Sequence, residues 1–172
     1  MMQFSPLILT LEMDEASHTF FNVLRQAHFP KERNYLQAHL TLFHHLPGSQ
    51  LSEILHTLKE LCQTQEKLTL EVVGLKNIGR GVAFSLQSPD LIALHGQLQR
   101  RWLAWLTPQD KQKLWPHVTV QNKVRPAQAQ ELLHALYNTF TPFPVSGIGF
   151  QVWAYQGGPW ELLHTLAFSG QA

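Results

Sequence analysis

The order helix, His-x-Thr strand, helix, strand, strand is written twice along this chain, and that duplication constrains its fold most. His39-Leu40-Thr41-Leu42 opens the strand of one copy and His117-Val118-Thr119-Val120 that of the other. The next helix, from Leu51 or from Ala127, and the strand after it, from Leu68 or from Val145, keep nearly the same offsets from each histidine. Equal offsets are what a duplicated supersecondary unit leaves behind. Chance gives about 0.6 His-x-Thr triplets in such a chain, and about 0.1 once both x positions must be apolar. One triplet alone therefore says little; two in equivalent places say much more.

Around this frame the periodicities assign the remaining elements. Pro6 to Met13 is apolar and β-compatible, and Asp14 is placed to cap a helix over Glu15 to His28 that carries Phe20, Phe21 and Leu24 on one face. Phe29-Pro30 ends it, Lys31 to Gln37 is a polar loop, and the strand His39 to Leu46 closes at Pro47-Gly48. Leu51 to Cys62 has helical apolar spacing. Leu68 to Leu75 and Val82 to Leu86 flank a glycine-rich turn, Asn77 to Gly81. A third helix opens at Pro89-Asp90, repeats Leu91, Leu94, Leu98, Trp102 and Trp105, and stops at Thr107-Pro108. The second copy supplies a strand His117 to Val124, a helix Ala127 to Phe140, an extended run Val145 to Tyr155, a Gly157-Gly158 hairpin turn, and a last strand Leu162 to Phe168.

No low-complexity linker separates the copies. The expectation is one bilobal domain over 1–172, its lobes drawn from repeats at about 14–88 and 90–169, of the α+β (α/β) class. Hairpin connections favour two largely antiparallel, pseudo-symmetric sheets with the helices outside and a cleft between them.

Composition narrows the function. At 172 residues with 44% hydrophobic and 15% charged residues the chain can bury a sizeable core. A formal net charge of +1 argues against wrapping duplex nucleic acid, which calls for a strongly basic face. Cys62 is the only cysteine, so neither an internal disulfide nor a CxxC metal site can form. From Met1 to Asp14 there is no basic n-region and only a short apolar run, which predicts neither a secretory signal nor a membrane span. A cytoplasmic monomer is expected.

Side chains alternate across a strand, so His39, Thr41 and Phe43 share one face while Leu40 and Leu42 take the other. His117, Thr119 and Gln121 share a face in the same way, backed by Val118 and Val120. Each strand then offers an imidazole and a hydroxyl side by side, and a two-fold relation sets the two pairs on opposite walls of one cleft. Imidazole titrates near neutrality, so one ring can accept a proton from an attacking hydroxyl while the other donates to a departing oxygen. Threonine hydroxyls can donate to phosphate oxygens between the rings. Such a site needs no metal and no cofactor.

These residues carry a family resemblance. Ala38-His39-Leu40-Thr41-Leu42-Phe43 with Leu46-Pro47-Gly48, and Trp115-Pro116-His117-Val118-Thr119-Val120-Gln121-Asn122-Lys123-Val124, resemble the paired signature of the 2H phosphoesterase superfamily, the 2′-5′ RNA ligase-like proteins. The resemblance extends over nearly the whole chain, through Gly79-Arg80-Gly81 and Gly157-Gly158-Pro159-Trp160. It implies a bilobal fold with a central cleft, catalytic His39 and His117, and activity on 2′,3′-cyclic phosphates, 2′-5′ phosphodiester linkages or 1″,2″-cyclic phosphates. The partner implied is a nucleotide with a cyclic phosphate, or an RNA terminus. By similarity His39 protonates the leaving oxygen and His117 activates the nucleophile. Ligase-type members often carry a basic residue soon after the second motif; here Gln121 and Asn122 come first and Lys123 follows.

Other residues are weighed against plainer roles. Phe43, Trp115, Trp153 and Tyr155 are candidates to stack a base, with core packing as the alternative for each. Gln121 and Arg80 are candidate substrate contacts, although Arg80 between two glycines also suits a solvated turn. His44 and His45 point to opposite faces of a regular strand and read as outside the chemistry. Two alternatives to catalysis of this type stand beside it: a nucleotide or RNA-phosphate binding module without turnover, and a metallohydrolase built on His39, His44, His45 and His117.

Overall fold

A computed structural model describes residues 4–171; Met1 to Gln3, the start of the segment read above for targeting signals, and Ala172 lie outside it. The apolar run at the start becomes strand β1 (Leu7–Met13). Asp14 then accepts from the Ser17 amide at 3.0 Å and starts helix α1 (Glu15–His28). Strand β2 (Leu40–Leu46), helix α2 (Leu51–Thr64), and strands β3 (Leu68–Asn77) and β4 (Val82–Gln87) complete the first copy. The second is helix α3 (Pro89–Arg101), strand β5 (His117–Gln121), helix α4 (Pro126–Tyr137), and strands β6 (Phe143–Tyr155) and β7 (Trp160–Ala167). The Ser88 hydroxyl caps α3, and proline occupies the first turn of both α3 and α4, where no amide donor is needed.

Boundaries move where local chemistry overrides periodicity. Trp105 is not on α3: the helix stops at Arg101 and Leu103–Trp105 forms a separate 3₁₀ turn. β5 ends at Gln121 rather than Val124, because Lys123 takes a left-handed φ of 64° that no strand accommodates.

Every strand pairing is antiparallel. The order is β2-β1-β6-β3-β4-β5, with β7 also on β6. β6 is long enough to serve two neighbours along one edge: Phe143 to Gly147 pair with β3, and Gly149 to Tyr155 pair with β7. Its other edge pairs with β1 over Gly147 to Ala154. The two expected sheets are thus two arms of one connected seven-stranded sheet, joined through β6.

These arms cross the division at residues 88–90. β3 and β4 of the first copy pair with β5 of the second, while β7 of the second lies in the arm that holds β2 of the first. The helices exchange in the same sense. Phe20 and Phe21 of α1 pack edge-on against Phe84 in the β5 arm, and His95 and Trp102 pack on Phe43 of β2. α2 meets β7, and α4 meets β3 and β4.

Each His-x-Thr strand also slips register by one residue directly beyond its threonine. Thr10 faces Thr41 but Leu9 faces Phe43; Ala83 faces Thr119 but Val82 faces Gln121. Such a bulge breaks the two-residue alternation and turns the following side chains over.

Asp14 joins the parts, since its second carboxylate oxygen accepts from the Ser146 amide of β6 at 2.8 Å. Asp14→Ala removes both a helix cap and the partner of a part-buried sheet amide. We expect a loss of about 1–2 kcal/mol, read as a lower urea midpoint. An unchanged midpoint would contradict this joining role.

Candidate active site

Local backbone orients the rings of both motifs by one device. His39 Nδ1–H donates to the Gln37 carbonyl at 2.7 Å, and His117 Nδ1–H donates to the Trp115 carbonyl at 2.8 Å. In each case the acceptor lies two residues upstream. A carbonyl oxygen can only accept, so each Nδ1 must hold the hydrogen and each neutral ring keeps its lone pair on Nε2. Tryptophans hold the planes: Trp160 packs against His39 at 4.7 Å between centroids, and Trp115 stacks on His117 at 4.0 Å and 12°.

His39 directly precedes β2 and His117 opens β5, the strands at the two ends of the pairing order. β2 and β5 approach to backbone contact distance, and the charge of His117 acts on His39. Burial pushes the His39 imidazole down to about 4, assisted by the positive charges of Arg25, His117 and His44 and opposed by its bond to Gln37. His117 is also lowered, by burial first and then by His44 and Lys76, against its bond to Trp115. At neutral pH both rings of the free protein are therefore neutral, and each Nε2 is a proton acceptor.

A cavity of about 680 Å³ opens beside His39. Trp153, Trp160, Tyr35, Gln37 and Gln151 line it, with Glu12, Glu15 and His18 toward the α1 end. His117 is not among its lining residues. Trp153 is held by its indole N–H, which donates to Thr10 Oγ1 at 3.0 Å. Ile148 joins the lining because β6 slips by one residue where Glu12 faces Gly149 but Met13 faces Gly147.

Several expected contacts lie elsewhere. Phe43 is fully buried, stacked on His95 at 4.6 Å and edge-on to Trp102, because the bulge after Thr41 turns it into the core. The equivalent bulge after Thr119 buries Gln121 to 2% exposure and leaves its Oε1 without a partner. Tyr155 sits at the exposed end of β6 and does not line the cavity, although its register partner Trp160 does. Arg80 commits Nε to the Val124 carbonyl at 3.1 Å, latching the β3–β4 turn to the loop after β5. Trp115 is stacked on His117 with the Lys76 ammonium 4.6 Å from one of its ring centroids, so it serves the ring rather than an open face. Thr41 is buried and Thr119 half-buried on their strands.

Three features escape a reading of the sequence. Trp160 follows the Gly157-Gly158-Pro159 turn, and its indole is the group against His39. His44, turned outward by the same bulge, hydrogen-bonds buried Asp110 through Nδ1 at 3.1 Å, while Asp110 also accepts from the His44 and His45 amides. Burial works against the Asp110 carboxylate, but those bonds hold it below the usual range. Arg25 is 4% exposed and reaches backbone on both sides of the site. Nothing in a helical periodicity distinguishes a buried arginine from a solvated one. Among the described residues no three His, Cys, Asp or Glu side chains converge to hold a metal ion, so the four-histidine cluster does not assemble.

The family model for the 2′-5′ RNA ligase superfamily matches residues 13–159 and so takes in both His-x-Thr strands and most of the cavity lining. The chain belongs to that superfamily. Solved structures similar in fold span nearly all of it. TT0787 of Thermus thermophilus has a TM-score of 0.67 at 15% identity, covering 97% of this chain and 100% of that one. A protein solved as a phosphoesterase has a TM-score of 0.62 at 20% identity, covering 98% and 100%. E. coli LigT complexed with 3′-AMP has a TM-score of 0.63 at 20% identity, again covering 98% and 100%. No curated protein matches the chain. The α+β architecture is thus that of the 2H phosphoesterases. Among the described residues no helix is long and apolar enough to cross a membrane.

A ring depressed in the fold is protonated more readily in the unfolded chain, so acid favours unfolding. For His39 the window lies between 6.5, its ordinary value, and about 4. Wild type should lose stability across that window more steeply than His39→Gln. Denaturant titrations at several pH values test this, and parallel curves for the two proteins would refute the depressed value.

Proposed function

We propose that this chain is a metal-independent phosphoesterase acting on 2′,3′-cyclic phosphate or 2′-5′ phosphodiester linkages of nucleotides or RNA ends. His39 and His117 serve as its acid/base pair. The observation that carries this reading is the shared lock on the two rings: identical Nδ1 bonds to carbonyls two residues upstream leave both Nε2 atoms for chemistry. The superfamily match and the 3′-AMP complex of the fold relative LigT support a nucleotide substrate.

Hydrolysis of a 2′,3′-cyclic phosphate then proceeds as follows. His117 Nε2 accepts a proton from water as the water oxygen bonds to phosphorus. The bond from phosphorus to one ribose oxygen breaks, and His39 Nε2–H protonates that oxygen. The pair ends with the proton moved from one ring to the other, and solvent exchange restores it. Thr41 and Thr119, two residues along each strand, donate hydroxyls to the non-bridging oxygens. Joining of a 2′-5′ linkage is the same displacement with an RNA 5′-hydroxyl in place of water, and its reversal, cleavage of that linkage back to the cyclic phosphate, exchanges the roles of the rings.

The low His39 value poses a physical requirement. In the free protein a ring near 4 is deprotonated at neutral pH and cannot act as an acid. The phosphodiester anion supplies the remedy, since a negative charge between the rings favours the imidazolium and raises its pKa. Substrate arrival and arming of the acid are then one event.

In chelator, kcat on a 2′,3′-cyclic nucleotide should fall by ~10²–10⁴ in His39→Ala and in His117→Ala. Turnover surviving both changes removes the proposal, and nucleotide binding without any turnover in wild type turns it toward a binding module. A further expectation concerns pH. Because both rings are lowered in the free protein, kcat/KM should be bell-shaped with its maximum on the acid side of neutrality. A maximum above pH ~8 would be incompatible with two depressed imidazoles as the titrating pair.

A further inference from the structure

We propose that Arg25 is a positioning residue of the two-histidine site, its guanidinium bridging the two motifs and its unpaired charge favouring an anion between the rings. Nε donates to the Asn34 side-chain oxygen at 2.9 Å and to the Leu36 carbonyl at 3.1 Å, while Nη1 donates to the Thr119 carbonyl at 3.1 Å. Leu36 adjoins Gln37, whose carbonyl orients His39. Thr119 is the threonine of the second motif. One planar group thus fixes the backbone that aims one ring and the backbone that carries the other motif's hydroxyl. The two segments flank opposite arms of the sheet, and the rigid fork of an arginine suits a bridge of this kind where a lysine's single ammonium does not.

Its charge has no local counterion. Arg25 is 4% exposed, lies with its guanidinium carbon 4.1 Å from the Phe29 ring centroid, and forms no ion pair among the described residues. Burial lowers it to about 10, which still leaves it protonated at neutral pH. A buried cation with only neutral acceptors is costly unless something anionic shares its surroundings. Here that charge acts on His39, so a phosphate seated at the rings would supply the missing negative charge.

This inference rests on the reading of His39 and His117 as the reacting pair, and two variants separate its two claims. Arg25→Lys keeps a charge and loses the bridge; Arg25→Met loses both. His39 is titrated by NMR in each folded protein, and kcat and KM are measured on a 2′,3′-cyclic nucleotide beside His39→Ala and His117→Ala. We expect the His39 pKa to stay low in Arg25→Lys and to rise in Arg25→Met. Inorganic phosphate should bind several-fold more weakly to Arg25→Met than to Arg25→Lys, and kcat should fall at least tenfold in both. An unmoved His39 titration with unchanged phosphate affinity in Arg25→Met overturns the electrostatic claim. Wild-type kcat in Arg25→Lys overturns the bridging claim, and also decides it should Arg25→Met fail to fold. If instead the two histidine variants retain turnover while Arg25→Met shifts the titration as stated, the functional reading fails and the charge coupling stands.

Discussion

Strand β6 is the element on which the arrangement depends. Thirteen residues long, it hydrogen-bonds β1 along one edge and, along the other, β3 first and β7 afterwards. A shorter strand would leave two separate sheets free to settle at any mutual angle. Shared backbone bonds instead tie the arms, and with them the strands that bear His39 and His117, into one hydrogen-bonded unit. Asp14 reinforces the junction by binding the Ser146 amide while it caps α1, so helix position and sheet junction are set by a single carboxylate.

On that frame the site is made by backbone as much as by side chains. The carbonyls of Gln37 and Trp115 decide which nitrogen of each ring is available, and indoles from unrelated positions hold the ring planes. Each copy thus repeats the hydrogen bond and improvises the packing. In both copies the carbonyl is two residues away and comes with the motif; the indole comes with it only in the second copy, where Trp115 supplies both, while Trp160 is brought to His39 by the β6–β7 hairpin.

Much of this is legible in the residues alone. The strands, the four helices, the Asp14 cap and the duplicated order are carried by periodicity and punctuation residues, which act over a few positions. The equivalence of His39 and His117 is readable for the same reason. What fails is alternation carried past a bulge. Counting in twos puts Phe43 and Gln121 on the cleft face, and one extra residue after each threonine turns both inward. No residue type marks those bulges, since Leu42 and Val120 look like ordinary strand residues. The exchange of strands between the two copies is equally silent, because local patterns do not say which edges pair. Arg25, Trp160 and the His44–Asp110 pair depend on contacts over long separations and become visible only once the chain has closed.

The cavity lies beside one ring alone, although the two rings themselves are held in nearly equivalent ways. A symmetric proton-transfer pair has no inherent sense of direction along a polynucleotide. For the activity proposed above, an asymmetric recess would supply one, with room for the bulkier flank of the ester on the His39 side. Under that proposal, shape alone would distinguish the two flanks of the phosphorus that the paired imidazoles treat alike.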